Sequence, residues 1–300
     1  MLKIAYNEYY VQPLPEGHRF PMEKYDLLPR QLLSEGTVEE ENFFSPSPIE
    51  KEHVLKSHEE DYLNRLINLE IPPKDQRKSG FIHDQRLILR EQIIMEGTRK
   101  CAEFAMEFGV AMNIAGGTHH AYKDRGEGFC LLNDQAIAAH WLLDEINLER
   151  ILVIDLDVHQ GNGTASIFSN EDRVYTFSMH GKNNYPLKKE ISNRDVALED
   201  GIRDEAYLYL LEKNLDEIVN KFPPQFIFFQ AGVDIIESDK LGRLGITLKG
   251  CKQRDQIVFN FAKQSRIPIV TSMGGGYSPN IKDIIEAHGN TFRTAQHLFF

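Results

Sequence analysis

Residues 151 to 163, ILVIDLDVHQGNG, set the tightest limit on what this chain can fold into. Ile151 to Ile154 are four consecutive strand-favouring residues, which suit a strand buried on both faces, as in a parallel sheet covered by helices. That strand discharges into Asp155, Asp157 and His159 and then into glycines. Ionised carboxylates buried there without partners would cost several kcal/mol or change protonation, so a cation, a histidine or a dense set of donors must accompany them. Strand alternation gives the three residues one parity, so they converge at the strand's carboxyl end, and a metal is the economical explanation.

The same rhythm of strand, polar loop and helix recurs along the chain. Strands are expected at 2–6, 110–115, 151–156, 174–180, 226–232 and 267–277. Helices are expected at 22–34, from 48 until Pro72 and Pro73 stop it, and at 86–108, 132–147, 204–221, 248–264 and about 279–288. Residues 43–48 read as an extended connection, and those after 180 as a long polar loop. Such alternation implies one domain over 1–300, a three-layer αβα fold with a mainly parallel, twisted sheet and right-handed crossovers. In such sheets the ligand lies beyond the carboxyl ends of the strands. Here those ends read GGTHH, DLDVHQGNG, SMH, QAGVD and MGGGY.

Composition narrows the functional classes. With 41% hydrophobic and 26% charged residues, the chain belongs with ordinary globular proteins. A net charge of −11 argues against a protein that grips nucleic acid through its phosphates, and makes cationic substrates the easier ones to accommodate. Cys101, Cys130 and Cys251 form no close pair, which fits packing roles in a reducing compartment rather than disulfides or a cysteine zinc site. The first residues, MLKIAYNEYY, lack a signal-peptide core and no run approaches membrane-spanning length, so a cytoplasmic protein without a membrane role is expected.

Asp157 and His159 are candidate metal ligands from one strand end, and Asp234 is a third from another. Two oxygens and a nitrogen leave a fourth position open for water, the arrangement of a catalytic zinc, with ferrous iron the alternative. A lone aspartate at a strand end is commonly a cap, but Asp155, Asp157 and His159 together resist that reading. Beside a metal, the doublet His119–His120 supplies a base that takes a proton from water and returns it to a leaving amine, and a neighbour that holds charge. Tyr277, after three glycines, is either a packing residue or a phenol that donates to an oxyanion.

In order, GGTHHAYKDRGEGFC, DLDVHQGNG, FSMH, QAGVD and MGGGY resemble the zinc-dependent histone deacetylase superfamily, of the arginase/deacetylase fold, along nearly the whole chain from HRFPM onward. The resemblance implies that Asp157, His159 and Asp234 hold zinc, that His120 is the general base and acid, and that His119 assists with Asp155 behind it. Tyr277 would polarise the acyl carbonyl. Gly128 and Phe129 would form a wall of a narrow tunnel for an acyl-lysine arm. The backbone near Asp155, Asp157, His159, Ser178 and Met179 would form a monovalent-cation site, for potassium.

Two positions depart from the class I pattern. Gln160 looks like the class IV deacetylases, and Asn162 stands where class I has an aspartate behind the second histidine. The related dimanganese ureohydrolases would need carboxylates at 161 and 236, where this chain has Gly161 and Ile236. The expected partner is an acyl-lysine protein or peptide, with acetylpolyamines or small amides as the alternative. A non-catalytic acyl-lysine binding module would be expected to lack Tyr277, His120 or a ligand, and none is missing. Substrate selectivity would lie in loops at roughly 72–85 and 181–203, whose sequences do not reveal it.

Overall fold

The computed structural model describes all residues from Met1 to Phe300. Eight strands form, β1 (Lys3–Ala5), β2 (Phe43–Phe44), β3 (Val110–Asn113), β4 (Ile151–Asp155), β5 (Val174–Gly181), β6 (Arg194–Leu198), β7 (Phe226–Gln230) and β8 (Ile269–Ser272). They join one sheet in the order β2-β1-β3-β8-β7-β4-β5-β6, and every pairing is parallel. All carboxyl ends therefore share one edge. The ends of β3, β8, β7 and β4, remote in sequence, are consecutive in space.

Alternation sorts the strand residues into two cores. Leu152, Ile154, Ile227 and Phe229 face one layer, with Val258, Phe259, Ile284 and Phe292 from the helices Leu248–Ser265 and Ile281–Phe299. Ile151, Val153, Phe226 and Phe228 face the other, with Cys101, Ala105 and Trp141 from the helices Gln85–Phe108 and Asp134–Asp144. Burial on both faces explains the unbroken apolar runs, and each large side chain so buried contributes about 1.5–3 kcal/mol.

Several local expectations are revised. The segment after Pro48 is not one helix but two, Lys51–Val54 and Glu60–Ile67. The break serves tertiary bonds: Ser57 Oγ lies 2.7 Å from His140 Nδ1, His58 Nε2 accepts from the Asn133 N–H at 3.0 Å, and the Glu59 N–H donates to Lys123 O at 2.8 Å. Pro73 opens a further helix, Pro73–Ser79, as proline at a first helical position can. The connection at 43–48 contains the edge strand β2, and the polar stretch after 180 contains β6, half-exposed in alternation. The last helix runs on to Phe299 because its apolar face continues along the core.

Candidate functional site

Strand β4 ends at Asp155, so Asp157 and His159 stand in the turn beyond it rather than on the strand. There they meet Asp234 from the loop after β7. One donor atom from each of Asp157, His159 and Asp234 lies within 4.8 Å of the other two, and all three residues are buried. His159 Nδ1 is 3.0 Å from Asp157 Oδ1 and 3.1 Å from Asp234 Oδ2. Backbone donors fix the carboxylates: the Val158 N–H bonds Asp234 Oδ1 at 2.9 Å, and the Gly275 N–H bonds Asp157 Oδ2 at 2.9 Å. Gly275 is required at this spot, because a Cβ there would lie 2.1 Å from Asp234 Oδ2.

Burial and the nearby charge of Asp157 push Asp234 up to about 7. Burial alone would lower His159, but the two carboxylates hold it up to about 10. Apart from the 3.1 Å approach of His159 Nδ1, Asp234 Oδ2 meets no hydrogen-bond partner. Such a buried oxygen, converging with a second carboxylate and an imidazole nitrogen, fits a divalent ion with O, N, O ligands.

The histidine doublet follows β3. His119 Nδ1 lies 2.7 Å from Asp155 Oδ2, and His120 Nδ1 lies 2.6 Å from Asn162 Oδ1. The two imidazoles, 4.1 Å apart, therefore have different supports. Burial would lower His119, but Asp155 and Asp157 override it and hold the ring up to about 9. His120 has no such carboxylate; burial, then the charges of His119 and His159, depress it well below its ordinary value. With its Nδ1–H given to Asn162, Nε2 is left as a free base.

The doublet is held from below by Asp134. Its buried carboxylate accepts from the Thr118 N–H and hydroxyl, both at 2.8 Å, from Thr98 Oγ1 at 2.7 Å and from Ser272 Oγ at 2.9 Å. This one side chain ties the loop after β3 to β8 and to the helix Gln85–Phe108.

Tyr277 enters from the loop after β8, its N–H bonded to Asp239 Oδ2 at 2.6 Å. Burial and the charges of Asp157 and Asp234 hold the phenol well above its ordinary pKa, so it stays a donor. Tyr277, His120, His159, Gly128 and Phe129 line one cavity of about 430 Å³ that opens at the surface. The wall is stapled to the helix Pro73–Ser79: the Gly128 N–H donates to Lys78 O and the Phe129 N–H to Ser79 O, both at 2.9 Å. Ser178 and Met179 are placed elsewhere, buried on β5, with Ser178 in register with Asp155.

Tyr122, Tyr185 and Lys24 gave no sequence signal of their own, whereas Asn162 and Gln160 stood out in the sequence and here acquire partners. Asn162 Nδ2 donates to the Tyr122 oxygen at 2.9 Å, and that hydroxyl donates to Glu190 Oε1 at 3.2 Å, extending the support of His120 outward. Tyr122 lies in the HHAY run, so proximity to the doublet was its only clue. Tyr185 stands edge-on to His120, ring centres 4.9 Å apart. Buried Lys24 donates to Gly274 O at 2.9 Å, beneath Tyr277. Gln160 bonds Glu190 O and Asp195 Oδ1, each at 2.8 Å, and so anchors the 181–203 segment.

Comparison with known proteins gives a consistent picture. The pattern of the histone deacetylase domain matches residues 18–292. An uncharacterized protein of Picosynechococcus sp. is 38% identical, with 99% of both chains covered. Histone deacetylase 2 of Arabidopsis thaliana is 32% identical over 89% of this chain and 72% of its own length. Among solved structures, an HDAC homologue complexed with SAHA superposes with a TM-score of 0.84 at 25% identity, covering 99% of this chain and 84% of that one.

Proposed function

The chain belongs to the histone deacetylase family, and on that premise we propose that it is a metal-dependent amidohydrolase that removes acyl groups from lysine side chains. The observation that carries the reading is the meeting of Asp157, His159 and Asp234 with the His120–Asn162 pair and the Tyr277 phenol around one cavity. A divalent ion held by Asp157, His159 and Asp234, zinc by its donor set with ferrous iron as the alternative, would polarise the acyl carbonyl and acidify water.

The chain's own residues do the rest. Phe129 and Gly128 align the acyl-lysine arm. Tyr277 donates a hydrogen bond to the acyl oxygen as negative charge develops there. His120 Nε2 accepts a proton as the water oxygen bonds the acyl carbon, then delivers it to the amine nitrogen as the C–N bond breaks, releasing a carboxylate and the free lysine. His119, held up by Asp155 and Asp157, offsets the negative charge that develops on the water and acyl oxygens. Backbone around Asp155, Asp157, His159, Ser178 and Met179 is assigned to a potassium ion, supported by the adjacency of Asp155 and Ser178 across β4 and β5.

A panel of acetyl- and long-chain acyl-lysine peptides and acetylpolyamines, assayed with and without a chelator and with zinc or ferrous iron restored, tests this. Chelator-sensitive release from acyl-lysine is expected. No release from any member sinks the reading, and preference for acetylpolyamine redirects it to small amines.

A further inference from the structure

The mouth of the cavity is basic in a protein of net charge −11. Arg19, Arg77, Lys78 and Arg243 line it, and no acidic residue does. Arg19 and Arg77 are exposed without an ion pair, while Lys78 and Arg243 reach Asp75 at 2.9 Å and Asp200 at 3.5 Å. These cations come from three segments, and two of the segments are fixed to the wall. The helix carrying Arg77 and Lys78 accepts the two wall hydrogen bonds from Gly128 and Phe129. Flanking Arg19, His18 bonds Gly80 O at 2.9 Å and Phe20 packs on Phe129 with ring centres 5.2 Å apart.

The carboxylate that the lining residue Tyr185 meets is itself engaged, by an arginine that it shares with Asp124. Glu127 accepts from Arg125 Nε at 2.8 Å through one oxygen and from the Tyr185 hydroxyl at 2.7 Å through the other. The side chains that line the mouth thus carry an excess of positive charge, with Arg19 and Arg77 unpaired, and a rim of that sign steers association and disfavours like-charged partners.

Resting on the deacylase reading, we propose that the substrate presents its acyl-lysine in an acidic setting, flanked by aspartate or glutamate, and that lysine-rich tails and acetylpolyamines are disfavoured by charge. This reverses the expectation drawn from net charge alone.

The test uses the full metal-loaded chain and three tagged acetyl-lysine peptides with aspartate, alanine or lysine at the flanking positions. Binding is read by fluorescence anisotropy and hydrolysis by kcat/KM, at low and high salt, in wild type and in the double variant Arg19→Glu/Arg77→Glu. Affinity is expected to fall in the order aspartate, alanine, lysine, spanning about tenfold at low salt and closing to within about twofold near 1 M salt. The double variant is expected to invert that order. Equal affinities, an order unchanged by the double reversal, or no binding of the aspartate peptide overturns the proposal. Binding in the expected order with no hydrolysis of any peptide leaves the rim assignment standing and counts against the deacylase reading instead.

Discussion

His120 Nδ1 and Asn162 Oδ1 are 2.6 Å apart, so the base is supported by a neutral amide while its neighbour His119 rests on a carboxylate. A carboxylate at 162 would stabilise the imidazolium of His120 and raise its depressed pKa. The base acts when neutral, so a higher pKa moves the acid limb of the rate profile to higher pH. Asn162→Asp is therefore expected to shift that limb upward by about one unit or more in kcat/KM against pH. An unmoved limb would show that the limb does not report His120.

Tyr277→Phe removes a phenol that burial and two carboxylates keep protonated. Loss of one oxyanion donor costs roughly two to three orders of magnitude in turnover, and the ring's packing on Phe129 should survive. Steady-state kinetics at matched metal content check this. Near-normal kcat would remove Tyr277 from the chemistry.

Asp134 satisfies four donors inside the protein, and an alanine there would strand a backbone N–H and three hydroxyls. Asp134→Ala is expected to destabilise the fold by about 3–4 kcal/mol in denaturant titration. A loss below about 1 kcal/mol would mean that water replaces the carboxylate without penalty.

The pH dependence of stability has a candidate away from the site. Burial lowers His58 from its ordinary value to about 4. Folding keeps it neutral, so the unfolded chain binds the extra proton between about pH 6.5 and 4, and stability is lost as pH falls through that window. Between pH 7 and 5 the loss from this residue is about 2 kcal/mol. Unfolding free energies of wild type and His58→Gln at both pH values test it, the variant showing the smaller difference. Equal differences would place the proton elsewhere.

Where the sequence was legible, the reason is that one residue type had few physical uses. An aspartate pair ending an apolar strand needs a counter-charge, and the structure brings Asp157, His159 and Asp234 within reach of one ion. The strands β1, β3, β5 and β8 were visible from short stretches rich in strand-favouring residues, and β4 and β7 from the unbroken apolar runs that burial on both faces demands. Illegible parts depend on distant partners. Ser57 and His58 leave a helical pattern to bond His140 and Asn133, and β6 exists only because β5 offers it an edge. The helix Pro73–Ser79, hidden behind two prolines, turns out to hold the cavity wall. Its role is written in backbone bonds, which residue types do not encode.

Gly161 sits so close to Asp155 that a Cβ there would lie 2.1 Å from Oδ2, the oxygen that His119 engages. A carboxylate introduced at 161 would dislodge that support before it could serve as a ligand, and Ile236 would still supply nothing to a second ion. Passage from this site to a bimetallic one thus runs through damaged intermediates, and laboratory evolution begun from this chain is expected to explore new acyl groups long before it reaches ureohydrolase chemistry.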